Sequence, residues 1–225
     1  MSDGDDLPRV LEAAGLSHGP VLVLVGGAGG LEADDEARLA YLIRYYLVPV
    51  MVRNGASVVD GGTDSGIMRA IGQARSDAGA QFPLIGVASA CTVRSPDSAP
   101  GADSEAEVDP NHTHIVLVPG QEWGDESPWL SQVASALSIG HRSATMLVNG
   151  GEIAYDDVHN SLKEGRPVIV LAGSGRTADA IASAASDPSA DERAARIAAS
   201  PLVRVVSVET PEALAELLLE ATSAG

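Results

Sequence analysis

Seven short β-branched runs recur along the chain: VLVLV at 21–25, SVVD at 57–60, PLIGVA at 83–88, HIVLV at 114–118, ATMLV at 144–148, VIVLA at 168–172 and VRVVSV at 203–208. Most are apolar without alternation, which marks strands buried on both faces. Between most of them lie segments of helical length and period, at about 33–54, 64–78, 128–141, 153–164, 177–199 and 211–222. Strand and helix therefore alternate. The pattern predicts an α/β fold: a doubly wound, mostly parallel seven-stranded sheet with helices on both faces.

Local signals sharpen several boundaries. Ser127 and Pro128 read as N-cap and first helical residue, since proline's missing N–H costs nothing there, and Thr210 and Pro211 repeat the device. Pro49 is expected to kink or break the first long helix, because it removes a hydrogen bond in mid-course. Residues 89–111, rich in Pro, Ser, Asp and Ala, are expected to form a mobile surface loop, and 186–192 a second loop.

A length of 225 residues suits one full-sized domain, and 45% hydrophobic content with only 3% aromatic residues suits packing by Val, Ile, Leu and Ala. The formal charge of −17, with 14 Lys and Arg spread along the chain, argues against a nucleic-acid surface. An anionic ligand must then be held by local geometry. The single cysteine, Cys91, fits a reducing compartment and has no base partner nearby. No apolar run approaches membrane-spanning length, and the N-terminus is acidic where a signal peptide is basic, so the expectation is a soluble, cytoplasmic protein with no membrane partner.

In an open parallel sheet, ligands bind beyond the carboxyl ends of the strands. The residues at those ends share a pattern: GGAGG after the first run, GGTDSG after the second, PGQEWGDE after the fourth, NGGE after the fifth and GSGR after the sixth. Such turns bring backbone N–H groups close to an anion, often at a helix N-terminus. The candidate ligand-binding set is therefore Gly26, Gly27, Ala28 and Gly29; Gly61, Gly62, Thr63, Asp64, Ser65 and Gly66; Trp123 and Glu126; Asn149, Gly150, Gly151 and Glu152; and Gly173, Ser174 and Arg176. GGAGG is not a dinucleotide fingerprint, because Glu32 holds the third glycine position, and no Lys-Ser/Thr follows as in a P-loop. The acids Glu32, Asp34, Asp35 and Glu36 suit the opening turn of a helix.

GGAGG, VVDGGTDSGIM, PLIGVA and above all DPNHTHIVLVPG resemble the N-terminal homology region of TRPM-type channels. Over about residues 20–175 the order of these motifs is similar to the prokaryotic LSDAT branch of the SLOG superfamily, named for LOG, Smf/DprA and TRPM proteins. The resemblance implies a Rossmann-like domain that recognises nucleotide-derived ligands such as ADP-ribose and related NAD metabolites. It also makes a homo-oligomer and an effector protein the expected partners. Residues 176–225 are expected to complete the sheet.

The LOG enzymes of this superfamily carry P-G-G-x-G-T-x-x-E and use its glutamate with an upstream arginine to cleave an N-glycosidic bond. Here the stretch reads NGGEIAYDD: Asn149 replaces the proline, Ile153 and Ala154 replace the Gly-Thr pair, and Asp157 falls where the glutamate would be. No arginine occurs in ESPWLSQVASALSIG. Aspartate is one methylene shorter than the glutamate that such catalysis employs. Ligand sensing is therefore the leading expectation and no catalytic residue is assigned. The alternative is a nucleotide phosphoribohydrolase or NAD-type glycohydrolase using Asp157 or Glu126; a second is an interaction domain with a vestigial pocket.

In the leading reading GGTDSG and NGGE cradle phosphates, GGAGG approaches the ribose or adenine, Glu32 or Asp60 accepts from ribose hydroxyls, Arg176 clamps a pyrophosphate and Trp123 stacks on adenine. No cofactor is required. A divalent cation beside the pyrophosphate is compatible with the acids, though no spacing demands one. His112 and His114 lack a cysteine or third histidine at ligand spacing, so a metal site is not assigned and loop pinning is expected. Asp156, Asp157, His159 and Ser161 come without the G-x-S-x-G elbow of a hydrolase triad.

Overall fold

A computed structural model describes residues 6–27, 33–94, 106–187 and 191–223. Its strands are β1 (Val21–Gly26), β2 (Ser57–Asp60), β3 (Leu84–Ser89), β4 (Val93–Arg94), β5 (Ala106–Glu107), β6 (His114–Val118), β7 (Ser143–Val148), β8 (Val168–Ala172) and β9 (Val203–Ser207). Its helices are α1 (Leu7–Ala13), α2 (Ala33–Leu42), α3 (Val48–Asn54), α4 (Gly66–Asp77), α5 (Ser127–Leu137), α6 (Glu152–Lys163), α7 (Arg176–Ala184), α8 (Glu192–Ala198) and α9 (Pro211–Ala221). The seven longer strands form one parallel sheet in the order β6-β3-β2-β1-β7-β8-β9. Val23 of β1 pairs with Val59 on one side and Thr145 on the other.

The all-apolar strands are explained by two separate cores. Along β1, Val21, Val23 and Val25 face one cluster with Leu11 of α1, Val133 of α5, Val158 of α6 and Ile181 of α7. Leu22 and Leu24 face the other, with Met51 of α3, Ile71 of α4 and Leu214 of α9. Strand side chains alternate between faces, so a strand covered on both is apolar at nearly every position, and a buried polar residue such as Thr145 needs a partner, here Ser161 Oγ at 2.7 Å. Each such buried side chain contributes about 1.5–3 kcal/mol.

Several boundaries differ from the sequence expectation. Pro49 does not break the first helix: α2 runs through a π turn, Ile43–Leu47, into α3, where Pro49 stands in the first turn. Val48 N–H donates to Ile43 O, five residues back, so the extra residue is absorbed just ahead of the proline. Helix α5 begins at Ser127, with Glu126 as N-cap, so Ser127 is helical and its hydroxyl is used elsewhere. Part of the expected 89–111 loop is ordered: β4 and β5 pair, and Thr92, Val93 and Asp109 are buried. Helix α1, unforeseen, inserts Leu7 and Leu11 into the core. The 177–199 segment is two helices, α7 and α8. No helix among the described residues is long and apolar enough to cross a membrane.

Candidate functional site

The strand order reverses between β1 and β7, and at such a point the loops after the two strands diverge to opposite faces and leave a crevice. A cleft of about 330 Å³ lies there. Gly26 ends β1 and Gly27 follows it, Gly61 and Thr63 follow β2, Trp123 and Glu126 come from the loop into α5, Gly151, Glu152 and Asp157 from the turn into α6 and its first two turns, and Arg176 from the start of α7. Leu24, Met68, Leu130 and Ile153 supply the apolar wall. Leu24, Met68 and Leu130 were not singled out in the sequence, because they sit on the core periodicities of their own elements, and Ile153 was marked only as a departure from the LOG pattern.

Steric facts show why the turns are glycine. A Cβ on Gly26 would lie 2.6 Å from Val148 O and 2.7 Å from Ile67 Cγ2, so β1 approaches β7 and α4 only without a side chain. A Cβ on Gly151 would lie 3.1 Å from Arg176 Nη2, which places the guanidinium directly against the backbone that opens α6. Gly151 is the N-cap of α6 and no side chain caps this helix, whose positive dipole end faces the same space. Arg176 has φ +46°, a conformation that costs a non-glycine residue about 1 kcal/mol and recurs at ligand-contacting positions.

Other candidates are placed outside the cleft. Gly62 packs on Gly86, where a Cβ would lie 2.8 Å from Gly86 Cα. The amides expected to cradle phosphate in GGTDSG are already engaged: Gly62 N–H donates to Asp60 Oδ1 at 2.7 Å, Asp64 N–H to Glu107 O at 2.7 Å and Ser65 N–H to Thr63 O at 2.8 Å. The Asp64 carboxylate accepts from Arg69 Nε at 2.7 Å, and Gly66 lies in a separate groove of about 300 Å³ between α2 and α4, together with Glu36. The Gly62, Asp64 and Ser65 amides are therefore not open to a phosphate: Gly62 and Ser65 donate within the turn itself and Asp64 donates to the distant Glu107, while Gly61 and Thr63 of the same turn line the cleft.

Asn149, Gly150, Gly173 and Ser174 build turns. Asn149 N–H donates to Ser174 Oγ at 2.8 Å, and the Ser174 hydroxyl to Leu171 O at 2.6 Å. Gly173 N–H donates to Asp179 Oδ1 at 2.6 Å, and a Cβ on Gly150 would lie 2.8 Å from Ala154 Cβ. Asp60, expected to accept from a ribose, is fully buried and bonded to His112, so it is unavailable to a ligand. Ala28, Gly29 and Glu32 lie outside the described residues. His112 does pin a loop, whereas His114 donates from its ring to Ala14 O at 3.2 Å.

The floor of the cleft is acidic. Burial pushes Asp157 up to about 7; the Ser127 hydrogen bond opposes this, and Glu126 and Asp156 reinforce it. Burial also raises Glu126, against the pull of its own backbone N–H and that of Gly124. The cleft thus has a cationic mouth, formed by Arg176 and the α6 N-terminus, and a floor of carboxyl groups that resist ionisation. Chemically it can receive an anion at the mouth and donate or exchange protons at the floor.

An all-parallel doubly wound sheet with its crevice at the strand-order reversal defines a Rossmann-like domain. The chain belongs to the family described as SLOG in TRPM, prokaryote, whose model matches residues 19–216. The chain is 26% identical over 209 residues to mouse transient receptor potential cation channel subfamily M member 2, covering 77% of this chain and 14% of the channel. It is 26% identical over 200 residues to a subfamily M member-like 2 channel of Nematostella vectensis, covering 72% and 13%. Among solved structures, a molybdenum cofactor binding protein from the phototrophic bacterium Rippkaea orientalis superposes with a TM-score of 0.58 at 14% identity, over 90% of this chain and 97% of that one. A protein solved by a structural genomics consortium gives a TM-score of 0.56 at 17% identity, over 89% and 99%. At these identities the two structures establish the shared fold.

Proposed function

We propose that the protein is a receptor domain for a nucleotide-derived ligand that carries phosphate, of the class of ADP-ribose and related NAD metabolites. The observation that supports it most is the seating of Arg176 against Gly151 at the uncapped start of α6, in the crevice where β1 and β7 part. An arginine there meets phosphate oxygens with two parallel N–H donors while the helix amides meet them from below. Trp123, 47% exposed at the rim, offers a ring face to a base. Glu126 and Asp157, reluctant to ionise, oppose an incoming anion less than free carboxylates do. Calorimetric titration with ADP-ribose, NAD, AMP and cyclic dinucleotides tests the reading. Saturable heat with at least one of them is expected; flat heats at millimolar ligand with folded protein rule it out.

One observation favours a second reading, a nucleotide N-glycosidic hydrolase. Asp157, lifted to about 7 beside Glu126, is poised to exchange protons near neutral pH. Incubation with nucleoside monophosphates and NAD, followed by chromatography, checks it. Release of free base that disappears in Asp157→Asn or Glu126→Gln is the expected sign, and release that survives both removes these residues from the chemistry.

A further inference from the structure

Behind the cleft wall lies a fully buried group of three titratable side chains, Asp60, Asp109 and His112. The His112 Nε2–H donates to Asp60 Oδ1 at 2.8 Å and the Nδ1–H to Asp109 Oδ2 at 2.8 Å. A neutral imidazole has a single N–H and satisfies one carboxylate; two carboxylates as acceptors require the imidazolium. Asp60 Oδ2 is buried with no hydrogen-bond partner among the described residues, so the imidazolium is the counter-charge that makes this buried carboxylate tolerable.

The group grips the turn that follows β2 from two sides. Asp60 is the last residue of β2, and its Oδ1 also accepts from Gly62 N–H at 2.7 Å. Asp109 N–H donates to Gly62 O at 3.0 Å, Asp64 N–H donates to Glu107 O at 2.7 Å, and Thr63 makes an antiparallel bridge with Val108. Gly61 and Thr63 of the same turn line the cleft. Helix α4 is shaped to admit the arrangement: a Cβ on Gly72 would lie 2.1 Å from Asp109 Oδ2, which accounts for a glycine in mid-helix.

We propose that His112 is a positioning residue, whose two hydrogen bonds set the path of the 61–63 turn and so the shape of a cleft wall that His112 itself does not touch. The charged groups that act on it are Asp60 from β2 and Asp109 from its own loop; Arg69 of α4 acts on Asp109 but is turned to Asp64, whose carboxylate it meets at 2.7 Å. Burial works against the charged ring, but the hydrogen bonds to Asp109 and Asp60 outweigh it and lift His112 to about 9. The expected effect on affinity rests on the receptor reading; the effect on the turn does not.

Nitrogen-15 NMR of the whole chain provides the test. In the wild type both ring nitrogens of His112 should carry protons at pH 7, and the amide signals of Gly62 and Asp64 should move with the ring as it titrates well above neutrality. In His112→Asn, exchange at these two amides should accelerate by about tenfold more than at Val23 and Leu147 in the sheet centre, and ADP-ribose should bind about tenfold more weakly. A single ring proton at pH 7, amides that stay still while His112 titrates, or exchange that rises equally at all four positions would overturn the proposal. If His112→Asn does not fold, the wild-type titration decides alone. If ADP-ribose fails to bind the wild type, the receptor reading falls while the amide data still decide this one.

Discussion

The Ser127 hydroxyl donates a 2.5 Å hydrogen bond to Asp157 Oδ1 across the junction of α5 and α6, and accepts in turn from Asn160 Nδ2 at 3.2 Å. A residue whose sequence position suggests helix capping thus serves to steady a carboxyl group on the cleft floor. Its bond favours the ionised form, but burial prevails and Asp157 stands at about 7 against an ordinary 3.8.

That shift has a definite sign. The folded state holds its proton more tightly than the unfolded chain, so the contribution of Asp157 is fully present below about pH 3.8 and is lost as pH rises to about 7. Asp157→Asn keeps the acceptor for Ser127 and removes the titration. Relative to wild type it should gain stability on the order of 3 kcal/mol between pH 4 and 7 and remain level above that. Urea unfolding of both proteins across this range checks it; parallel curves would show an ordinary carboxylate.

Gly61 and Gly62 should respond differently to alanine. A Cβ on Gly62 meets Gly86 Cα at 2.8 Å and the residue has φ +69°, so Gly62→Ala forces two backbones apart and should cost on the order of 2 kcal/mol or more. At Gly61 the nearest atom, Met68 Cε, is 4.0 Å away, so alanine fits. Gly61→Ala should therefore keep its melting temperature while weakening ADP-ribose binding, as measured by thermal unfolding and calorimetry.

Arg176→Ala should weaken a phosphate-bearing ligand by about tenfold or more, and Arg176→Lys should recover only part of this, because an ammonium cannot meet two oxygens in one plane. Equal affinities for the lysine variant and wild type would reduce the arginine to a general positive charge.

Glu152 stands in the first turn of α6 and is paired with Arg193 of α8, whose guanidinium lies 4.1 Å above the Tyr155 ring. Without Arg193 this carboxylate is uncompensated at the helix end that should receive an anion. Arg193→Ala should weaken ADP-ribose binding several-fold, and adding Glu152→Gln should restore it, with the loss in the single variant fading at high salt. Failure of the second substitution to rescue would assign Arg193 a direct or purely structural role.

The seven strands were legible as short β-branched runs, most of them apolar without alternation, a pattern that burial on two faces enforces on the central strands; the edge strands β6 and β9 are partly exposed and carry His114 and Arg204. The sequence placed a ligand rim beyond the carboxyl ends of the strands, and the strand order in the structure located the crevice at β1 and β7, where Gly26, Gly27, Gly151 and Arg176 meet. Gly62, Asp64, Ser65 and Ser174 carry the same local signal but are spent on turns and long-range hydrogen bonds. Nothing in GGTDSG announces that Glu107 and Asp109, more than forty positions away, take up its backbone donors and acceptors. The π turn ahead of Pro49 was equally hidden, since a proline reads as a break wherever the preceding helix can absorb one more residue.

Sequence alone determined the alternation of strand and helix, the parallel sheet and the family, because these follow from periodic burial and from motifs that are contiguous in the chain. Which glycine turns face the cleft, which carboxyl groups resist ionisation and which histidine carries a buried charge were decided only in three dimensions. An amide's free donor or a side chain's pKa depends on its spatial neighbours, and those neighbours are brought together by the fold from separate parts of the chain.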